Sequence, residues 1–378
     1  MSRFIGKPSP DYLGNWCLRL LRQAPETKRP DRVLTTRELN RALLARQFLL
    51  ERSSLALVPM LERIGGLQTQ YAPSGYVGLW SRMGNFRRDA LTAALEQGRV
   101  IQGTLLRSTI HMVSARDYWL FLSAIRMGRQ EWWRRVTRKG FGDVDIAAAV
   151  PIFREALAAG PRRASDLKEL LARRGFPSIA WNGIGLWVDL IRVPPSGTWD
   201  QRKADLYGLA EAWVRPAAQP AEAAGVEHVV RRYLGAFGPA TVREIADWAG
   251  IPHTTVLPAI DRLSLRRFRD EKGKELLDLP RGPLPDAATP APVRFLPTWD
   301  ATLLVHARRT QILPEHFRPL VFNTKTPHSV PTFLVDGAVA GTWRYKGGRV
   351  EVKPFEPLPK AARREVDEEA KRLEAFHK

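Results

Sequence analysis

From Thr241 to Leu279 the chain reads as helix, tight turn, helix and basic hairpin, with a local signal at each boundary. Thr241-Val242-Arg243-Glu244 is a capping box, in which Thr and Glu satisfy each other's orphan amides. A helix through Ile245 and Trp248 follows, and Gly250-Ile251-Pro252 turns the chain. Thr254 or Thr255 opens a second helix through Val256, Ile260 and Leu263. Residues 265–269 read as a strand, 271–274 as a turn and 276–279 as the return strand. This order predicts a winged helix, a fold that presents one helix and one hairpin to nucleic acid.

Two looser copies precede it. Thr35-Thr36-Arg37-Glu38 is a second capping box, followed by apolar Leu39, Ala42, Leu43, Phe48 and Leu50. Pro59 suits the first turn of another helix that Gly65-Gly66 ends, and helices are expected at 76–83 and 89–97. Residues 100–113 turn β-like, with Gly103 at the expected bend. In the middle copy Ser165 should cap a helix through Leu167, Leu170 and Leu171 that stops at Gly175. A second helix should run over 181–191, and Pro194-Pro195-Ser196-Gly197 should turn into a short strand pair. The copies share no fixed period, so they form a tandem array and not a solenoid.

The expected fold class is α+β: tandem winged-helix (helix-turn-helix) modules followed by a small C-terminal β-barrel-like domain. Residues 1–30 are a basic, Pro-containing extension with a short helix signal at 16–21. Modules one, two and three take 31–140, 141–218 and 219–285, the last ending in a Pro- and Gly-rich linker. Residues 290–360 hold many short period-two segments, with Asp336-Gly337 as a hairpin turn. Residues 361–378 form an amphipathic helix with Val366, Ala370 and Leu373 on one face.

The net charge of +20 points to a polyanion, and nucleic acid is the expected partner. A basic protein from a GC-rich genome, or an RNA binder, would carry the same excess. No apolar run is long enough to span a membrane and no secretory signal is visible. The single cysteine, Cys17, excludes an internal disulfide and fits a reducing compartment. The chain is therefore expected in the cytoplasm, associated with the nucleoid. There is no Gly-rich phosphate loop, Ser-centred elbow or His/Glu zinc box, so no cofactor and no metal is expected.

Gly65-Gly66-Leu67-Gln68-Thr69-Gln70-Tyr71-Ala72-Pro73 stands apart from the rest. Gln68 and Gln70 would lie about 200° apart on a helix but on one face of a strand. The flanking glycines and proline favour the strand, so the two amides are expected to converge and to be able to hold one water. The competing reading is a pair of polar side chains tying down loop backbone. Arg107, Thr109 and His111 are expected on one strand face, and a satisfied histidine in a wing strand is one reading of His111. Arg126, Arg129, Arg134, Arg135, Arg138 and Lys139 surround Trp132-Trp133, which suits a phosphate-tracking surface or, alternatively, a domain junction with solvated charges. Arg266, Arg267 and Arg269 on the third hairpin are further candidate phosphate contacts. Trp299, Asp300, Asp336 and Trp343 read as structural.

Several blocks in this order resemble the winged-helix DNA glycosylases of the AlkZ and YcaQ type. They are Gly66-Leu67-Gln68-Thr69-Gln70, Leu79-Trp80-Ser81-Arg82, Leu106-Arg107-Ser108-Thr109-Ile110-His111-Met112-Val113, Pro297-Thr298-Trp299-Asp300, Leu334-Val335-Asp336-Gly337 and Gly341-Thr342-Trp343-Arg344. The resemblance spans about residues 33–376 and implies winged helices arranged around DNA, closed by a β-rich domain. It implies excision of N3- or N7-alkylated purines from double-stranded DNA, including crosslinked ones, with Gln68 and Gln70 as the Gln-x-Gln catalytic element. It also implies that Arg107, Thr109 and His111 lie on a strand near the pocket, as contacts to the backbone phosphate or the lesion. The middle residue is Thr69, where an aliphatic residue is expected. The expected reaction is hydrolytic depurination by a monofunctional enzyme acting as a monomer. A non-catalytic winged-helix regulator is the alternative, although a regulator would ordinarily dimerise on a palindrome.

Overall fold

The computed structural model describes residues 32–214, 219–303, 309–323 and 328–378. The N-terminal extension, with its expected helix at 16–21, lies outside them, as do residues 304–308 and 324–327 of the expected β-rich region. Residues Val33–Lys378 pack as one unit.

After a two-residue strand β1 (Val33–Leu34), helix α1 (Thr36–Arg46) starts on the complete Thr35/Glu38 capping box. It ends before Phe48, whose φ is 53°, so Phe48 and Leu50 pack beyond the helix and not on it. The first unit is α2 (Leu57–Arg63), β2 (Leu67–Gln68), α3 (Ala72–Arg82), α4 (Arg88–Glu96), β3 (Val100–Thr104) and β4 (Ile110–Ser114). Gly66 has φ 79°, and a Cβ there would lie 2.9 Å from the Met112 carbonyl oxygen. Only glycine lets β2 leave α2 and lie against β4.

The long helix α5 (Ala115–Phe141), capped by Ser114, leads to the second unit. This unit is α6 (Ala149–Ala158), β5 (Arg162–Arg163), α7 (Ala164–Arg173), α8 (Ala180–Ile184), β6 (Leu190–Arg192) and β7 (Leu206–Leu209). The helix expected over 181–191 is only five residues long, because Leu190 and Ile191 are taken into β6. The third unit is α9 (Glu222–Phe237), α10 (Val242–Ala249), α11 (His253–Arg262), β8 (Arg266–Asp270) and β9 (Glu275–Asp278). Its Thr241/Glu244 capping box is complete, and Gly250 closes α10 in the left-handed conformation.

The hairpins of the first two units merge into one sheet, ordered β2-β4-β3-β6-β7-β5. The seam is β3 against β6, with Gln102 opposite Arg192 and Gly103 opposite Ile191. The third hairpin joins a separate sheet, β1-β8-β9. Packing crosses all three units: Ile101 of β3, Ile191 of β6 and Trp248 of α10 share one buried cluster.

The C-terminal part corrects the barrel expectation. β10 (Arg294–Leu296), β13 (Thr332–Val335), β14 (Ala338–Lys346) and β15 (Arg349–Pro354) form an open antiparallel sheet in the order β10-β13-β14-β15. A small pair, β11 (Phe322–Asn323) with β12 (His328–Ser329), stands beside it. No closed barrel forms among the described residues, since β10 and β15 do not pair. The sheet instead covers its apolar residues by packing: α12 (Lys360–His377) lays Val366, Ala370 and Leu373 into a cluster with Phe295, Phe333, Trp343 and Val350. The same cluster includes Leu79 and Trp80 of α3, so the C-terminal sheet is fastened to the first unit. Ser81 donates to the Phe295 carbonyl, and Arg82 makes a two-pronged buried ion pair with Asp300 at 2.9 Å.

Candidate active site

β2 carries Gln68 on the side of the sheet where Gln68 stands opposite His111 of β4. The pairing continues one residue further through the Thr69 N–H, which donates to the Ile110 carbonyl at 2.8 Å. Gln68 is buried, with 6% exposure, whereas Gln70 is exposed. The Gln68 Oε1 accepts from Arg107 Nη2 at 3.1 Å, and the Gln70 Oε1 accepts from the Ile110 N–H at 2.8 Å. Each donor fixes which end of the amide is oxygen, and each carbonyl oxygen keeps a second lone pair. The Gln70 bond is a side chain tying down backbone, the structural role that polar loop residues ordinarily play.

Arg107 does not share a strand face with Thr109 and His111. The bend of the first hairpin lies at 105–109 and not at Gly103, and Arg107 and Ser108 stand there with φ 51° and 56°. Two successive left-handed residues carry the Arg107 side chain inward. Its Nη1 donates to the Trp248 carbonyl at 2.6 Å, so the third unit's α10 holds the group that touches Gln68. Burial lowers Arg107 to about 10, and no carboxylate lies within ion-pair distance of it among the described residues. Leu105, Arg107, Ser108, Ile125, Arg129, Trp132, Ala249 and Gly250 enclose a cavity of about 290 Å³ behind this bend.

His111 is buried beside this cluster. Its Nδ1 lies 3.1 Å from the Thr109 carbonyl and 3.3 Å from the Thr109 hydroxyl, whose own proton goes to the Leu106 carbonyl. A carbonyl can only accept, so Nδ1 carries the proton and Nε2 is the bare nitrogen. Burial, reinforced by the Arg107 charge and opposed by the Thr109 bond, pushes His111 down to about 3. It is neutral at any physiological pH.

The other candidate DNA contacts divide. Arg134, Arg135, Arg138 and Lys139 are exposed on α5; Arg134 lies over the Trp187 ring and Arg138 pairs with Asp143. The tryptophan pair splits, Trp133 being buried against Gly183 while Trp132 is 42% exposed at the cavity mouth. Arg126 and Arg129 are both engaged by Asp189. On the third hairpin, Arg266 pairs with buried Asp278 and Arg267 with Glu275, while Arg269 donates to the Gly273 carbonyl. β8 is also covered by β1, and Glu271 accepts from the Thr36 N–H. Much of this hairpin's charge is thus met within the protein.

Sequence reasoning missed two features. Arg192, from the second unit, donates to the Thr69 carbonyl at 3.1 Å, a contact across 123 residues with no local signal. Tyr71, next to Gln70, opens a cleft of about 200 Å³ lined by Trp343, Tyr345, His377, Arg202 and Arg344. A Tyr after the glutamines was visible, but not the C-terminal residues that meet it.

All three units therefore converge on one short strand: the first supplies Gln68 and Gln70, the second Arg192, and the third the Trp248 carbonyl that holds Arg107. The model of the AlkZ-like DNA glycosylases matches residues 61–376, and the chain belongs to that family. It is similar to the interstrand DNA cross-link repair glycosylase of Streptomyces sahachiroi, at 23% identity over 360 residues, covering 86% of this chain and 92% of that protein. The solved structure of DNA glycosylase AlkZ from the same species has the same fold, with TM-score 0.74 at 18% identity, covering 91% of this chain and 96% of that one. The protein is an enzyme of DNA repair that acts on N-glycosyl bonds, and its substrate is DNA. No helix among the described residues is long and apolar enough to cross a membrane.

Proposed function

We propose that the enzyme hydrolyses the glycosidic bond of N3- or N7-alkylated purines in double-stranded DNA, unhooking crosslinked bases among them, with Gln68 and Gln70 orienting the attacking water. The observation that carries this reading is the buried, neutral Gln68 at the end of β2 with Gln70 two residues further on, both amides oriented by fixed donors. Neither amide can serve as a strong base near neutral pH, and none is needed. A purine alkylated at N3 or N7 already carries positive charge, departs as a neutral base, and leaves cationic character on the sugar. Two positioned carbonyl oxygens can accept from a water and lie favourably against that developing charge. No lysine stands in the Gln68–Gln70 segment to form a Schiff base, so the product is an intact abasic site.

Each of the three units is a winged helix in this reading, with module boundaries near 140, 218 and 285, and the enzyme works as a monomer in the nucleoid. The exposed α5 cations Arg134, Arg135, Arg138 and Lys139 follow the DNA backbone, as does Arg107 once a phosphate reaches it. Thr109 and His111 line the same approach. Arg266, Arg267 and Arg269 would give the backbone only what their internal partners release. The crosslink reading draws on the name of the Streptomyces sahachiroi relative.

The test is incubation with a duplex carrying one N7-methylguanine, followed by hot alkali. Strand cleavage only after alkali supports monofunctional excision. An intact duplex, with cleavage absent for N3-methyladenine and for an N7–N7 crosslink as well, would remove the proposal.

A further inference from the structure

The peptide group between Thr69 and Gln70 is held from a part of the chain that has no place in the Gln68–Gln70 strand itself. Arg192 ends β6, pairs with Gln102 across the seam of the six-stranded sheet, and donates from Nη1 to the Thr69 carbonyl at 3.1 Å. On the other side of Thr69, its N–H is held by the Ile110 carbonyl. The strand is only two residues long, so its ladder alone leaves the following peptide free to rotate. With the Thr69 carbonyl anchored, the plane of the peptide that carries the Gln70 N–H is set, and with it the direction in which the Gln70 side chain departs.

The charge state of Arg192 makes this contact unusual. Buried Arg41, Arg46, Arg82 and Arg129 each face an aspartate, but Arg192 faces none among the described residues. Burial lowers its pKa, and Tyr207, which hydrogen-bonds it, favours its charge. Its Nε, the Thr69 hydroxyl and the Gln102 Oε1 are buried without hydrogen-bond partners. A desolvated cation met by one neutral carbonyl and the Tyr207 side chain, with no carboxylate beside it among the described residues, costs stability, as does each orphaned polar atom around it. For stability alone an apolar side chain would serve better at this position.

We propose that Arg192 is a positioning residue for the glycosylase reaction: by anchoring the Thr69 carbonyl it aims the Gln70 amide, so that the second unit sets the geometry of the pair carried by the first. The inference rests on the reading that Gln68 and Gln70 orient the water.

The test is a double-variant cycle under single-turnover conditions on the N7-methylguanine duplex, with DNA affinity measured alongside at several salt concentrations. Arg192→Met removes the donor but keeps the stem; Arg192→Lys keeps a donor and a charge. Arg192→Met is expected to lower the rate about 100-fold, the scale of a misplacement of about 1 Å. Arg192→Lys should recover at least about a tenth of the wild-type rate, and DNA affinity should move by less than about twofold in both. In a Gln70→Ala background Arg192→Met should have little further effect, because the group it aims is gone. Equal rates for Arg192→Met and wild type, or full additivity with Gln70→Ala, would overturn the inference while leaving the glycosylase reading intact. So would a loss confined to affinity with a shallower salt dependence, which marks a phosphate contact. A wild-type protein that excises nothing would take down the reading and the inference with it. If Arg192→Met melts well below wild type, the Arg192→Lys cycle with Gln70→Ala decides alone: its rate loss must vanish in that background.

Discussion

Arg107 donates to the side-chain oxygen of Gln68 across 3.1 Å, while its other guanidinium nitrogen is held by the Trp248 carbonyl. A full positive charge thus touches a group proposed to stabilise a forming cation. The sign is unfavourable unless an anion neutralises Arg107 in the complex, and a DNA phosphate is the anion at hand. Among the described residues no carboxylate stands there to compete for it.

Arg107→Met should therefore weaken DNA binding about tenfold at moderate salt and reduce the slope of log Kd against log salt by about one. The single-turnover rate at saturating enzyme should fall as well, by about tenfold or more, because Arg107 is the donor that orients the Gln68 amide. Titration of fluorescent duplex at several salt concentrations and a rate at saturation separate the two effects. A rate loss with unchanged affinity and an unchanged salt slope would show that Arg107 orients Gln68 without meeting a phosphate.

His111 gives a stability prediction with a definite sign. Its folded pKa is about 3, while a histidine in an unfolded chain titrates near about 6.5. Between those values only the unfolded chain takes the proton, so stability falls as pH drops below about 6.5, by up to about 1.4 kcal/mol per pH unit. Above that window the residue contributes no pH dependence. Denaturant unfolding at pH 7.5, 6 and 5 should show the drop, and His111→Gln should lessen it. For the same reason excision should be flat from about pH 6 to 9, because neither the glutamines nor His111 titrates there. A bell-shaped profile centred near neutrality would point to a general base outside this site.

Arg82 and Asp300 join α3 to the segment leading out of β10, both at 0% exposure, with Gln47 and the Gly78 carbonyl also on the guanidinium. Removing one partner leaves a buried uncompensated charge. Asp300→Ala should cost about 3–5 kcal/mol, and an Arg82→Met, Asp300→Leu pair should recover much of it. Urea unfolding of the three proteins checks this. If Asp300→Ala costs under about 1 kcal/mol, the pair is not what fastens the C-terminal sheet.

Gly66 offers a local test of how the strand is placed. Its φ of 79° and the 2.9 Å approach to the Met112 carbonyl leave no room for a side chain. Gly66→Ala should destabilise by more than about 1 kcal/mol and lower excision further than the stability loss explains, by shifting β2. Calorimetry and rates on folded protein at low temperature distinguish the two. A fully active variant would mean that β2 tolerates displacement.

Signals in the sequence were strongest where chemistry is local. Both capping boxes form, Asp336-Gly337 makes its hairpin turn, and Val366, Ala370 and Leu373 bury the face expected of them. Local rules failed where distant chain decides. Leu190 and Ile191 fit a helix by pattern but are taken into β6, where Ile191 pairs with Gly103 of β3 and Leu190 with Leu209 of β7. The C-terminal strands close their core with α12 instead of with one another. At the site, the extended Leu67–Gln68 pair was legible from the glycines and proline around it. The hydrogen bonds that orient the amides come from Arg107 and Ile110, and the anchor on Thr69 comes from Arg192; spacing cannot reveal such partners. The third hairpin shows the converse, since its arginines look free in sequence but Arg266 and Arg267 meet Asp278 and Glu275.

The most direct measurement is single-turnover release of N7-methylguanine from a duplex by wild type and by the Gln68→Ala, Gln70→Ala double variant, with DNA affinity determined for both. The account predicts release by wild type, a rate at least about 100-fold lower for the variant, and affinities within about threefold, because the glutamines position water and do not hold the backbone. Equal rates in the two proteins would contradict it, and the chemistry would then have to be sought elsewhere in the fold.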